Sequence, residues 1–144
     1  MASFHWLCKA RLWYAVLLCY LSALLFLSLN PWVRPAAGDD LLSPDKLEHT
    51  LAYGDLAIMV FVCLVRWRNG PIGGTAQAWI AALLFSVLVG GMVEIAQTVF
   101  TPNRTGSVAD ALANAVGASL GFVAYQSVQS IYARWLGRRN RGLP

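Results

Sequence analysis

The chain has 144 residues, 58% of them hydrophobic and only 12% charged, with a formal net charge of +4. That balance excludes an ordinary soluble domain, and because the basic residues lie between apolar runs rather than in one patch, nucleic acid is not an expected partner. One membrane domain covering residues 1–144 is expected.

The first apolar run, Leu12 to Leu29, follows Lys9 and Arg11. A secretory signal is the competing reading, since Pro35-Ala36-Ala37-Gly38 loosely suggests a cleavage site. The run is longer than the roughly 7 to 15 residues of a signal h-region, which favours an uncleaved anchor. Cys8, Cys19 and Cys63 lie in or beside apolar runs without metal-ligand spacing and read as packing residues.

Ser43-Pro44 opens the second helix as an N-cap followed by a proline in the first turn, with Asp45 near the positive end of the helix dipole. Its apolar run extends from Leu47 to Val65. Asp45, His49 and Tyr53 recur every four residues and share one face, with Lys46 beside them. Asp55 lies toward the opposite side and is not grouped with them. Asn69-Gly70-Pro71 with Gly73-Gly74 forms a loop. The third helix, Ala76 to Phe100, stops at Thr101-Pro102 and carries Glu94 and Gln97 three residues apart. Ser107-Val108-Ala109-Asp110 has the form of a capping box opening a fourth helix that runs to about Tyr132. Asp110 and Asn114 share a face there, continued by Gly117 and Gly121.

Each run approaches or exceeds the roughly 18 to 20 residues that cross about 30 Å of hydrocarbon, where a backbone must satisfy itself as a helix. The expected fold is an all-α membrane bundle of four spanning helices. Lys9, Arg11, Arg66, Arg68, Arg134, Arg138, Arg139 and Arg141 flank one side, against Arg34, Lys46 and Arg104 on the other. The positive-inside rule therefore places both termini in the cytoplasm, with Trp6, Trp13, Trp67 and Trp135 at the inner interface and Trp32 at the outer one. A contact between the Arg-rich tail and anionic lipid fits the same arrangement.

That orientation gathers Asp45, Lys46, His49, Glu94, Gln97, Arg104, Asp110 and Asn114 at the non-cytoplasmic face. At 1.5 Å per residue, Glu94 lies about 9 Å below the end of its helix and Asn114 about 10 Å below Ser107, so the two can face each other. Structural readings compete at every position. Asp110 reads equally as a capping residue, Asp45 as a dipole partner, Asn114 and Gln97 as interhelical hydrogen-bonding groups, and Gly117 with Gly121 as a close-packing stripe. Glu94 resists such a reading most, because an intramembrane carboxylate is either neutral or paired, with Arg104, Lys46 or protonated His49 as candidates.

The blocks Asp45-Lys46-x-x-His49-x-x-x-Tyr53, Glu94-x-x-Gln97, Arg104 and Asp110-x-x-x-Asn114-x-x-Gly117 together resemble the VanZ-like family of small membrane proteins. The resemblance covers roughly Asp45 to Gly121, with Asn103 where glycine is frequent in the family and Thr50 where an aromatic residue is common. It implies a multi-pass protein of the cytoplasmic membrane concerned with the cell envelope. The name-giving member is associated with low-level resistance to the glycopeptide teicoplanin, which acts outside that membrane on lipid-linked peptidoglycan precursor.

The leading expectation is a binding protein. Arg104 and Lys46 would hold an anionic group of a lipid-linked or amphiphilic envelope ligand, Glu94 and Asp110 would orient those cations, and His49, Tyr53, Gln97 and Asn114 would add hydrogen bonds. The alternative is an enzyme acting on a lipid-linked substrate, with His49 as base or nucleophile and Asp45, Glu94 or Asp110 among the candidate catalytic groups. No Gly-x-Ser-x-Gly elbow, His-Glu-x-x-His zinc site or phosphate-binding loop is present, and no cofactor or metal is expected. Lipid is an expected partner, and the glycine stripe would suit a second copy or another membrane protein. Four helices leave little room for a transport path.

Overall fold

The computed structural model describes residues 2–30, 43–67, 75–101 and 106–141, and among these the chain is helical without strands. Four helices follow in order: α1 (Ala2–Leu29), α2 (Pro44–Trp67), α3 (Thr75–Phe100) and α4 (Val108–Arg141). Each contains a stretch long and apolar enough to cross a membrane. The expectation of a four-span all-α bundle is met. The bounds differ at two ends, where α1 begins at Ala2 rather than Leu12 and α4 continues to Arg141 rather than Tyr132. Hydropathy marks where hydrocarbon ends, whereas the flanks of these runs are rich in Ala, Leu, Lys and Arg, which sustain a helix beyond it.

Helix ends follow local chemistry. α3 stops at Phe100, ahead of Thr101 and Pro102, as the restricted residue before a proline requires. At the start of α2 the Ser43 carbonyl accepts from the Lys46 and Leu47 N–H groups at 3.0 and 3.4 Å.

α2 is the central helix, packed on α1, α3 and α4, while α1 touches α2 and α3 only. α2 and α4 run parallel and approach most closely along Gly54, Gly117 and Gly121. A Cβ added at Gly121 would lie 2.6 Å from the Gly54 carbonyl oxygen, and one at Gly117 would run into the Thr50 carbonyl. The small-residue stripe thus brings the two backbones together, as in other close membrane crossings. Thr50 adds a hydrogen bond from Oγ1 to the Ala113 carbonyl at 3.4 Å.

Toward the far end the core is aromatic. Phe61 stacks on Trp79 at 4.1 Å between ring centres, and Tyr125 and Phe122 meet Trp79 edge-on at 5.5 and 5.0 Å. Leu56, Ala57, Ala82 and Val93 fill the middle, and α1 contributes Leu24, the buried residue among those of this helix whose burial is described. α1 is fixed by Tyr20 Oη, which donates to the Ala52 carbonyl at 2.8 Å, and by Tyr14 Oη to the Cys63 carbonyl at 3.3 Å.

Candidate functional site

The starts of α2 and α4 meet the end of α3 at one end of the bundle. Asp45 and Asp110 each occupy the first turn of their helix, where free N–H groups and the helix dipole favour a carboxylate. Lys46 reaches between them: its Nζ pairs with Asp110 Oδ1 and lies 3.7 Å from Asp45 Oδ2. All three are buried, Lys46 to 6% exposure. Its ammonium therefore ties two helix starts together, and the Lys46 side chain also lines a second cleft of about 380 Å³ between α2 and α4, with Ser43, Leu47, Thr50 and Leu112.

The opening of α4 departs from the expected capping box. Ser107 Oγ accepts from the Ala109 N–H at 3.2 Å, as an N-cap should. In a full box the Asp110 side chain would return to the Ser107 N–H. That N–H instead donates to Glu94 Oε2 on α3, at 2.9 Å. The box is half formed because Lys46 draws Asp110 away and Glu94 takes its place. A Cβ at Gly106 would collide with the Glu94 carbonyl oxygen, so this corner needs glycine.

His49 stands at the centre. Its Nδ1 donates to Asn114 Oδ1 at 2.9 Å and lies 3.9 Å from Glu94 Oε1, while Nε2 lies 4.0 Å from Asp45 Oδ1. Glu94 and Asn114, placed at matching depth by helical rise, are brought together around this one imidazole. Tyr53, one turn deeper on α2, lies parallel to it with ring centres 6.3 Å apart. Glu94 Oε1, Tyr53 Oη and Asn114 Nδ2 are buried and have no hydrogen-bond partner among the described residues. Gln97 turns toward α1, where its Nε2 donates to the Ser28 carbonyl at 2.9 Å. Arg104 lies outside the described residues. Asp55 is exposed on the α1 side of α2, near Tyr20 and apart from the cluster.

Beside the cluster a cleft of about 370 Å³ runs between α1, α2 and α3. Tyr20, Leu24 and Leu27 form one wall and His49, Tyr53 and Gln97 the other, with Glu48 and Leu51 along the side. Leu27 and Leu51 are exposed, so the cleft opens sideways on the apolar flank of the bundle rather than only at its end. The α1 wall and Glu48 were not among the sequence candidates. A tyrosine within an apolar run, and a second acidic residue next to His49, were the available signals.

Asp45, His49 and Asp110 offer ligand atoms within 4.8 Å of one another. Two of the three already share the Lys46 ammonium, so a metal ion would have to displace a cation that the chain itself supplies.

A family model described as VanZ/LLP1 matches residues 12–129, more than four-fifths of the chain. The chain belongs to the VanZ/LLP1 family. No curated protein and no solved structure gives a match. The VanZ/LLP1 match takes in most of α1 as well as the polar blocks of α2, α3 and α4, in keeping with an α1 that builds one wall of the cleft.

Proposed function

We propose that this VanZ-like membrane protein binds an amphiphilic molecule of the cell envelope, its hydrocarbon part in the cleft between α1, α2 and α3 and its polar part at the His49 cluster. The observation that supports this reading is continuity: His49 and Tyr53 line the apolar cleft and also belong to the buried polar set. Small-molecule sites commonly combine a mostly apolar wall with a few converging polar groups in about 300 to 1,000 Å³. With both termini inside, the cluster faces the exterior of the cytoplasmic membrane. That position fits a role in the envelope and the glycopeptide-resistance association of the family's name-giving member.

The amphiphilic half of the expectation is the better supported half. Lys46, one of the two cations assigned to an anionic group, is buried and shared by Asp45 and Asp110, which leaves such a group dependent on Arg104.

The test is native mass spectrometry of the protein released from nanodiscs of bacterial phospholipid. A retained amphiphile is expected on the unaltered protein. Leu24→Trp, which fills the cleft, should retain about tenfold less through steric exclusion. Equal retention by both proteins removes the cleft as the place of binding.

A second reading, an enzyme acting on a lipid-linked substrate, is favoured by one observation. The two ring nitrogens of His49 face carboxylates of Asp45 and Glu94 within 4.0 Å, an arrangement in which an imidazole can be oriented and exchange protons. Turnover of an undecaprenyl-linked substrate that depends on His49 would establish it, and saturable binding without product would reject it.

A further inference from the structure

Several polar side chains on the walls of the cleft between α1, α2 and α3 are engaged within the chain. Tyr20 Oη donates to the Ala52 carbonyl, Gln97 Nε2 to the Ser28 carbonyl and His49 Nδ1 to Asn114 Oδ1. Tyr53 differs from them. It lines the same cleft and is 1% exposed, yet its Oη has no hydrogen-bond partner among the described residues. A phenol O–H held in hydrocarbon without an acceptor is costly, so this wall suits an oxygen that a guest brings with it.

Depth narrows what that oxygen belongs to. Tyr53 lies about 14 Å along α2 from its start at Pro44 and one turn beyond His49. A charged group seated so deep, among Leu24, Leu51 and Ala52, would lose its hydration. A hydroxyl or an amide N–H would bring a hydrogen with the same demand for an acceptor, whereas an ester carbonyl brings an acceptor alone. We propose, resting on the amphiphile reading above, that Tyr53 Oη donates to an ester carbonyl of the bound molecule, one helical turn deeper than the polar part at His49. The ligand class is therefore an ester-linked acyl lipid. In a polyprenyl or alkyl-ether lipid, hydrocarbon or an ether oxygen takes that place.

Two single-chain photoreactive diazirine probes test the assignment, a monoacyl and a monoalkyl glycerophosphoglycerol that differ only in joining their chain by an ester or an ether. The nanodiscs are made of dialkyl-ether phosphatidylcholine, so that the matrix adds no ester. Crosslinks to the α1 and α2 residues of the cleft should be about fivefold stronger with the ester probe, the usual worth of one hydrogen bond. Tyr53→Phe keeps the ring beside His49 and removes only the hydroxyl, so it should bring the two probes to equal labelling by lowering the ester signal alone. An ester preference that survives Tyr53→Phe gives Tyr53 a packing role only and overturns the proposal. Added diacyl phospholipid assigns the ester to the bilayer lipid if it suppresses labelling, and to another acyl lipid if it does not; both results keep the ester. Ether labelling that equals or exceeds the ester on the unaltered protein overturns the proposal while leaving the cleft reading intact. No labelling of the cleft by either probe overturns both. If Tyr53→Phe does not accumulate, the order of the two probes on the unaltered protein decides.

Discussion

Lys46 illustrates how much of a side chain's setting is decided by its partners on other helices. Flanked by acidic residues and near a membrane surface, it has the sequence appearance of a ligand cation, but in three dimensions it joins the first turns of α2 and α4 through Asp45 and Asp110. Lys46→Met would remove the ammonium that the buried carboxylates of Asp45 and Asp110 share. Breaking a buried pair from one side costs about 3 to 5 kcal/mol, so thermal unfolding in detergent should show a large loss of stability, and an unchanged midpoint would contradict the pairing. The positions of His49, Glu94 and Asn114 were legible from helical spacing and rise. The bond from Ser107 N–H to Glu94 was not, because it depends on how the chain turns between α3 and α4, which periodicity does not encode. The α1 wall was equally hidden, since Leu24 and Leu27 look like any lipid-facing leucines until Tyr20 docks α1 against Ala52.

At the scale of the helix, the parallel pair α2 and α4 depends on the absence of side chains. Gly117 is pressed against Thr50 and Gly121 against Gly54, whereas a Cβ added at Gly91 on α3 would meet nothing within 4 Å. Gly117→Ala should therefore destabilise the bundle by about 1 to 3 kcal/mol through overpacking. Gly91→Ala should be neutral or slightly favourable, because alanine is the better helix former by about 1 kcal/mol. Equal effects in the two variants, measured by the same unfolding assay, would show that helix propensity and not the α2–α4 approach decides. The glycine stripe was legible in the sequence as a packing device, although its partner was not. The stripe is used inside the chain, where Gly117 and Gly121 lie against Thr50 and Gly54 of α2.

Across the whole molecule the two ends of the bundle differ in kind. One holds the ion cluster and His49, and the other is closed by Phe61, Trp79 and Tyr125. The charge asymmetry between connections predicts the orientation. In a cysteine-free background, a cysteine placed at Asn103 should react with an impermeant maleimide added outside intact cells, and one placed at Gly70 should react only after the membrane is opened. The reverse pattern would put the His49 cluster on the cytoplasmic side and remove the envelope from the proposed role.

Under the proposed amphiphile binding, the sideways mouth between Leu27 and Leu51 changes what an affinity means. A guest arriving through that seam is drawn from a two-dimensional reservoir, so occupancy follows its mole fraction among the surrounding lipids rather than its concentration in water. Soluble head-group fragments would then be poor competitors however well they match His49 and Glu94, and diluting the nanodisc with inert lipid would empty the site at constant total ligand.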